Sequence, residues 1–276
     1  MKQSNDDYKV VPFSKMRCLE AVTLGVRQSG RGQAVAPTLE SSSTSYQHPN
    51  EPRSKTIESD WKPLYRVAGV AALIMIVFIP IQSIVFAVWP PPSTVIGWFT
   101  LFQNNWLLGL LDMDLLLIVD QILMGLVFLA LYAALKRASP SLMAIALTSG
   151  LVGIATYFAS STAFNMLSLS SQYAVATTDA QRAMFLAAGQ ATLTTWTGTA
   201  FDVSYVLGGV ALLIISVVML RSTIFNRETA FVGLALGVTM LVPPTVGTIG
   251  LVISLISLLP LIIWLILIAR RLFWLG

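Results

Sequence analysis

Cysteine and histidine occur once each in the 276 residues, as Cys18 and His48. A single cysteine excludes an intramolecular disulfide, the pair is too few for a Cys/His zinc site, and one histidine in the amino-terminal tail leaves no base for a His-dependent triad. Charge is also scarce. Asp, Glu, Lys and Arg make up 11% of the chain against 55% apolar residues, and the mean hydropathy is +0.76, outside the range of soluble domains. The first twenty residues lack the apolar core of a cleavable signal peptide, so the first membrane helix is expected to direct insertion. What is present instead is a series of long hydrophobic runs, and they predict a polytopic membrane protein.

The charges are unevenly placed. Residues 1–66 hold ten Lys and Arg and seven Asp and Glu, which leaves seven basic (17 − 10) and six acidic (13 − 7) side chains for everything after them. Residues 1–62 are polar, carry SSSTS at 41–45 and show no sustained periodicity, so they read as a disordered cytoplasmic tail that buries no core. The stretch from Tyr8 to Val26 mixes basic and apolar residues and has two readings, a solvated segment or one lying on an anionic membrane surface.

A spanning helix needs about 20 mostly apolar residues. By that measure residues 63–276 form a six-helix transmembrane domain with runs at about 66–89, 115–135, 142–167, 201–220, 229–246 and 247–269. Pro80 predicts a kink in the first run, and the fifth is short and ends at Pro243 and Pro244. Cytoplasmic loops collect Lys and Arg. Threading six spans with both termini inside places sixteen of the seventeen basic residues on one side and leaves Arg182 alone on the other. Omitting the fifth run exports Arg270 and Arg271, so the charges favour keeping it.

Aromatic side chains settle at headgroup level. Trp89, Trp98, Trp106 and Trp196 are expected at the outer boundary, and Trp61 and Trp274 at the inner one. In the external loop of some thirty residues after the third run, Thr178 and Gln181 have capping-box spacing ahead of AQRAMFLAAGQ, which predicts a short interfacial helix. Gly233 and Gly237, Ser149 and Gly153, and Gly208 and Gly209 are small residues at which helices approach closely, within the chain or between two copies.

Six carboxylates remain beyond the tail, and those in NNWLLGLLDMDLLLIVDQILMG are the most unusual. Asp112 and Asp114 precede the second run, where amide donors and the helix dipole favour an anion, and they read as caps. Asp120 lies about one and a half turns into the run. A carboxylate at the centre of a spanning helix costs roughly 2.5–3.5 kcal/mol, less at shallower depth. Asp202 enters the fourth run from the same side, so Asp120, Asp202, Gln121, Tyr205 and Arg182 form a candidate polar site in an outer vestibule. Two readings stand: the acids bind a cation, proton or polar ligand, or Asp202 caps its helix and Asp120 is neutralised by Ser and Thr neighbours.

RVAGVAALIMI from Arg66, LALYAALKR closing the second run and FDVSYVLGGVALLIISVVML resemble a bacterial family of integral membrane proteins of unknown function, over roughly residues 64–272. The arginine and the Ala68-Gly69 pair are the most specific element. The resemblance implies a six-helix protein of the bacterial inner membrane and transfers no site residue.

No nucleophile, metal cluster or cofactor motif is recognisable, which argues against an enzyme, and the scattered basic residues give nucleic acid no surface. The expected partners are the lipid bilayer and a cytoplasmic partner of the tail. The expected function is that of a sensor, regulatory or interaction protein, with a small-solute or proton-coupled transporter as the alternative.

Overall fold

The structure is a computed structural model, and it describes residues 61–276. The tail readings, with Cys18 and His48, lie outside the described residues. Within them the chain is all helical: α1 (Lys62–Val88), α2 (Val95–Asn104), α3 (Trp106–Asp112), α4 (Leu115–Leu135), α5 (Pro140–Ser160), α6 (Ala163–Ala174), α7 (Asp179–Trp196), α8 (Thr199–Leu220), α9 (Arg227–Thr239) and α10 (Gly247–Leu275). Five stretches are long and apolar enough to cross a membrane: 62–88, 115–135, 140–174, 179–220 and 247–275.

Six of these helices close into a ring, because α1 packs on α4, α4 on α5, α5 on α8, α8 on α9, α9 on α10 and α10 back on α1. The outer face of the ring is apolar. Val67, Val70, Ile74, Val77, Ile81, Ile84 and Val88 recur every three or four residues along the exposed face of α1, a stripe that water would penalise and lipid accommodates. One core fills the end of the ring where α1 begins and α10 ends, around Ala68, Leu131, Leu135, Phe225, Trp264 and Leu272. Gly69 lies there against the face of the Phe273 ring, with 3.1 Å from a built Cβ to the ring, which accounts physically for the Ala-Gly pair after Arg66. At that end the Lys136 ammonium lies 4.4 Å from the Trp61 ring centre and the Arg271 guanidinium 4.0 Å from that of Trp274.

The opposite end carries a cap made of α2, α3, α6 and α7. Its own core gathers Val95, Trp98, Phe99, Phe102, Leu110, Met113, Ala163 and Met166. Two cap elements, α2 and α3, lie between the first two apolar runs, a stretch for which the sequence predicts no element. Thr94 and Asn105 cap them by accepting from Gly97 N–H and Leu108 N–H. The expected helix after Thr178 is present as α7, with both hydrogen bonds of the capping box formed between Thr178 and Gln181.

Three sequence expectations need correction. The run at 142–167 is one continuous helix only as far as Ser160. The polar Ser160-Ser161-Thr162 triplet breaks it, Ser160 turns its hydroxyl to Tyr157 O, and α6 continues into the cap. The run at 229–246 is helical only over Arg227–Thr239, about 20 Å of rise, because Pro243 and Pro244 forbid the helix from continuing. Residues 240–246 complete its path without helix, and Thr245 reaches Asp202 at the far end of α8. Trp98 and Trp196 are not boundary anchors: Trp98 is 1% exposed in the cap core, and Trp196 packs edge-on against it at 5.6 Å, whereas Trp89 and Trp106 are exposed as expected.

The small residues pack within the chain. A Cβ on Gly237 meets Leu213 at 2.7 Å and the Gly209 carbonyl at 3.1 Å, so α8 and α9 touch backbone to backbone. Gly153 does the same for α5 against α8, at 3.1 Å from Ser204 O.

Candidate functional site

The ring does not fill its own centre. Between the inner core and the cap lies a cavity of about 890 Å³, the size of pockets that hold drug-sized molecules. Helical periodicity builds its wall. Leu117, Asp120, Gln121, Met124 and Phe128 on α4, and Phe201, Ser204, Tyr205, Gly208 and Leu212 on α8, both follow the i, i+3, i+4, i+7, i+11 spacing that keeps one face toward the centre. Gly150, Gly153, Ile154 and Tyr157 line it from α5.

Of the five residues expected to form the polar site, three share this cavity: Asp120, Gln121 and Tyr205. The Tyr205 hydroxyl pairs with Ser254 Oγ at 3.3 Å. Asp202 is set back in the first turn of α8, where its carboxylate accepts from the hydroxyl of Thr245, a residue of the cavity wall. Arg182 does not join them. It is exposed on α7 and its Nε donates to Ala176 O at 3.4 Å, within the cap.

Among the other polar residues that line the cavity are Asp114, Tyr157, Trp196 and Gln82, none of which the sequence placed in the candidate site. Asp114 holds the N-cap position of α4 without capping it. Its backbone is left-handed at φ 79°, and its carboxylate accepts from the Trp196 indole N–H instead. That bond ties the end of α7 to the start of α4 across the mouth of the ring. Gln82 donates to Leu111 O at 3.2 Å and thereby ties α1 to α3.

Two of these groups keep an unpartnered oxygen. Asp120 Oδ1 and Gln82 Oε1 are shut off from solvent without a hydrogen bond, and the Tyr157 hydroxyl is as deeply buried, with the Asp114 carboxyl as its neighbour. Tyr157 is 3% exposed and lies within range of both Asp114 and Asp120. Outside the spans, burial pushes the Asp114 carboxyl up to about 6 against the opposing pull of the Trp196 indole. Burial, with the Asp114 charge in second place, pushes Asp112 up to about 6. Asp112 is fully buried at the end of α3 and both its oxygens are unpartnered, so neither acid is the exposed cap that the sequence suggested.

Among the described residues, no three His, Cys, Asp or Glu side chains gather as a metal site. The wall offers instead a large apolar surface with a few polar groups concentrated toward the cap. Comparison with family models, curated proteins and solved structures gives no match to any of them.

Proposed function

We propose that this chain is a multi-pass membrane protein that binds a small, mostly apolar molecule inside its helix ring and acts as a receptor or sensor rather than an enzyme. The cavity carries this reading: a partly open space of about 890 Å³ with an apolar wall and convergent polar groups is what a small-molecule site requires. The proposal includes six crossings, both termini in the cytoplasm and a bacterial inner membrane. The one-sided basic residues support the orientation, and the path of α9 and residues 240–246 along the full length of α8 supports the sixth crossing. Non-helical backbone is tolerated at membrane depth where it faces protein or a cavity, and Pro244 and Thr245 line this one.

A lipophilic diazirine probe, photolysed in native membranes and mapped by peptide sequencing, tests the reading. Labels are expected on inward residues such as Met124 and Leu212 and are expected to be lost in Ser254→Trp, which fills the space. Labels confined to the outward Ile122, Val252 and Ile256 would count against a binding cavity.

A carrier is the second reading, and the interrupted helix facing the cavity favours it, since discontinuous helices line many transport sites. Flux of the bound molecule across reconstituted vesicles, abolished by Asp120→Asn or Asp202→Asn, separates carrier from receptor.

A further inference from the structure

The polar lining of the cavity is unbalanced in sign. It contains two carboxyl groups, Asp114 and Asp120, and no Lys, Arg or His. It is unbalanced in hydrogen bonding as well. The hydroxyls of Ser83, Ser204 and Ser257 turn back to their own helices, to Ile79 O, Phe201 O and Ser254 O, and Tyr205 pairs with Ser254. Left over are the acceptors Asp120 Oδ1 and Gln82 Oε1 and the Gln121 amide, while the Tyr157 hydroxyl lies against Asp114.

Buried acceptors without partners are costly and uncommon, and here two of them accompany two carboxyl groups with no base in the wall. The complement of this set is a cation with several N–H donors. An ammonium has three donors and no acceptor. An anionic ligand would meet two carboxylates, and an uncharged hydrocarbon would leave the acceptors unanswered. Deeper in the ring the wall is apolar, with Phe128, Leu212, Leu236 and Leu261.

Resting on the ligand-binding reading above, we propose that the cavity takes a lipophilic amine, with its ammonium held among Asp114, Asp120 and Tyr157 and its hydrocarbon or aromatic body directed toward Phe128 and Leu212. Asp120 supplies the principal countercharge, because Asp114 already accepts from Trp196. Asp114 and Trp196 position the mouth of the site.

The test uses full-length protein in phosphatidylcholine nanodiscs with radiolabelled 4-phenylbutylamine and its uncharged counterpart 4-phenylbutanol, empty nanodiscs providing the partition background. Saturable binding of the amine is expected to be at least about tenfold tighter than that of the alcohol, the gain typical of a charge-assisted contact. Asp120→Asn is expected to bring the amine down to the alcohol's affinity, and the alcohol's binding to the same variant reports whether the cavity is intact. If wild-type protein binds both probes equally, or if Asp120→Asn keeps the preference for the amine, the amine proposal is overturned while ligand binding stands. If neither probe binds saturably and photolabels stay on the outward faces, the ligand-binding reading falls with it. The wild-type comparison decides the matter even where the variant fails to fold.

Discussion

At the scale of single residues, the buried carboxylates divide by what answers them. Asp202 has the Thr245 hydroxyl, Asp114 the Trp196 indole, and Asp112 nothing. Asp112 therefore weakens the fold whenever it is ionised. Its folded value of about 6 lies above the ordinary 3.8, so the folded state holds the proton more tightly than the unfolded chain. Stability gained from that proton is complete below about 3.8 and is lost as pH rises through 6. Asp112→Asn is accordingly expected to raise the thermal midpoint of detergent-solubilised protein at pH 7.5 by about 3 °C or more, with the gap to wild type closing between pH 6 and 4. A midpoint lowered at pH 7.5, or a gap independent of pH, would show that Asp112 has a partner after all. The sequence exposed Asp120 and Gln121 because a carboxylate and an amide stand out in an apolar run. It hid Tyr157, whose side chain is ordinary in such runs, and Gln82, whose amide has no carboxylate beside it in the sequence and becomes notable only where α1 meets the cavity.

At the scale of elements, long apolar helices were legible almost to the residue: the run expected at 115–135 is α4 itself, and that at 201–220 differs from α8 by two residues. Lipid imposes this, since a spanning segment must satisfy its own backbone over a fixed thickness. In the cap α2 and α3 escaped notice because that constraint is absent there. VIGWFTLFQN and WLLGLLD are short helices whose existence depends on packing against α6 and α7, and ten or seven residues carry little signal of their own. The glycine pairs were legible as packing positions but not in their choice of partner. With backbone carbonyl and Leu213 both inside contact distance, Gly237→Ala is expected to destabilise the protein by about 1–3 kcal/mol, read as a lowered unfolding midpoint in a denaturant series. An unchanged midpoint would mean that α9 can slide away from α8 at no cost.

At the scale of the whole molecule, composition points to a bundle of apolar helices suited to lipid, and the ring with its hollow centre follows from which helix faces meet, which no single run encodes. Orientation is open to direct measurement on a Cys18→Ser background. A cysteine at Thr177, beside the α7 cap, is expected to react with an impermeant maleimide on intact cells, and one at Ser222, after α8, only after lysis. Equal labelling of both on intact cells would put the two loops on one face and remove the crossing made by α8.

The shortness of α9 carries a consequence for synthesis. Its 13 helical residues include Arg227, Glu228 and two glycines and span about 20 Å, too little to partition into a bilayer independently. During translation this stretch has no stable home until its partner surface on α8 is beside it. On the proposed six-crossing path α8 and α9 are therefore expected to enter the bilayer together as a hairpin joined by the basic turn from Arg221 to Arg227.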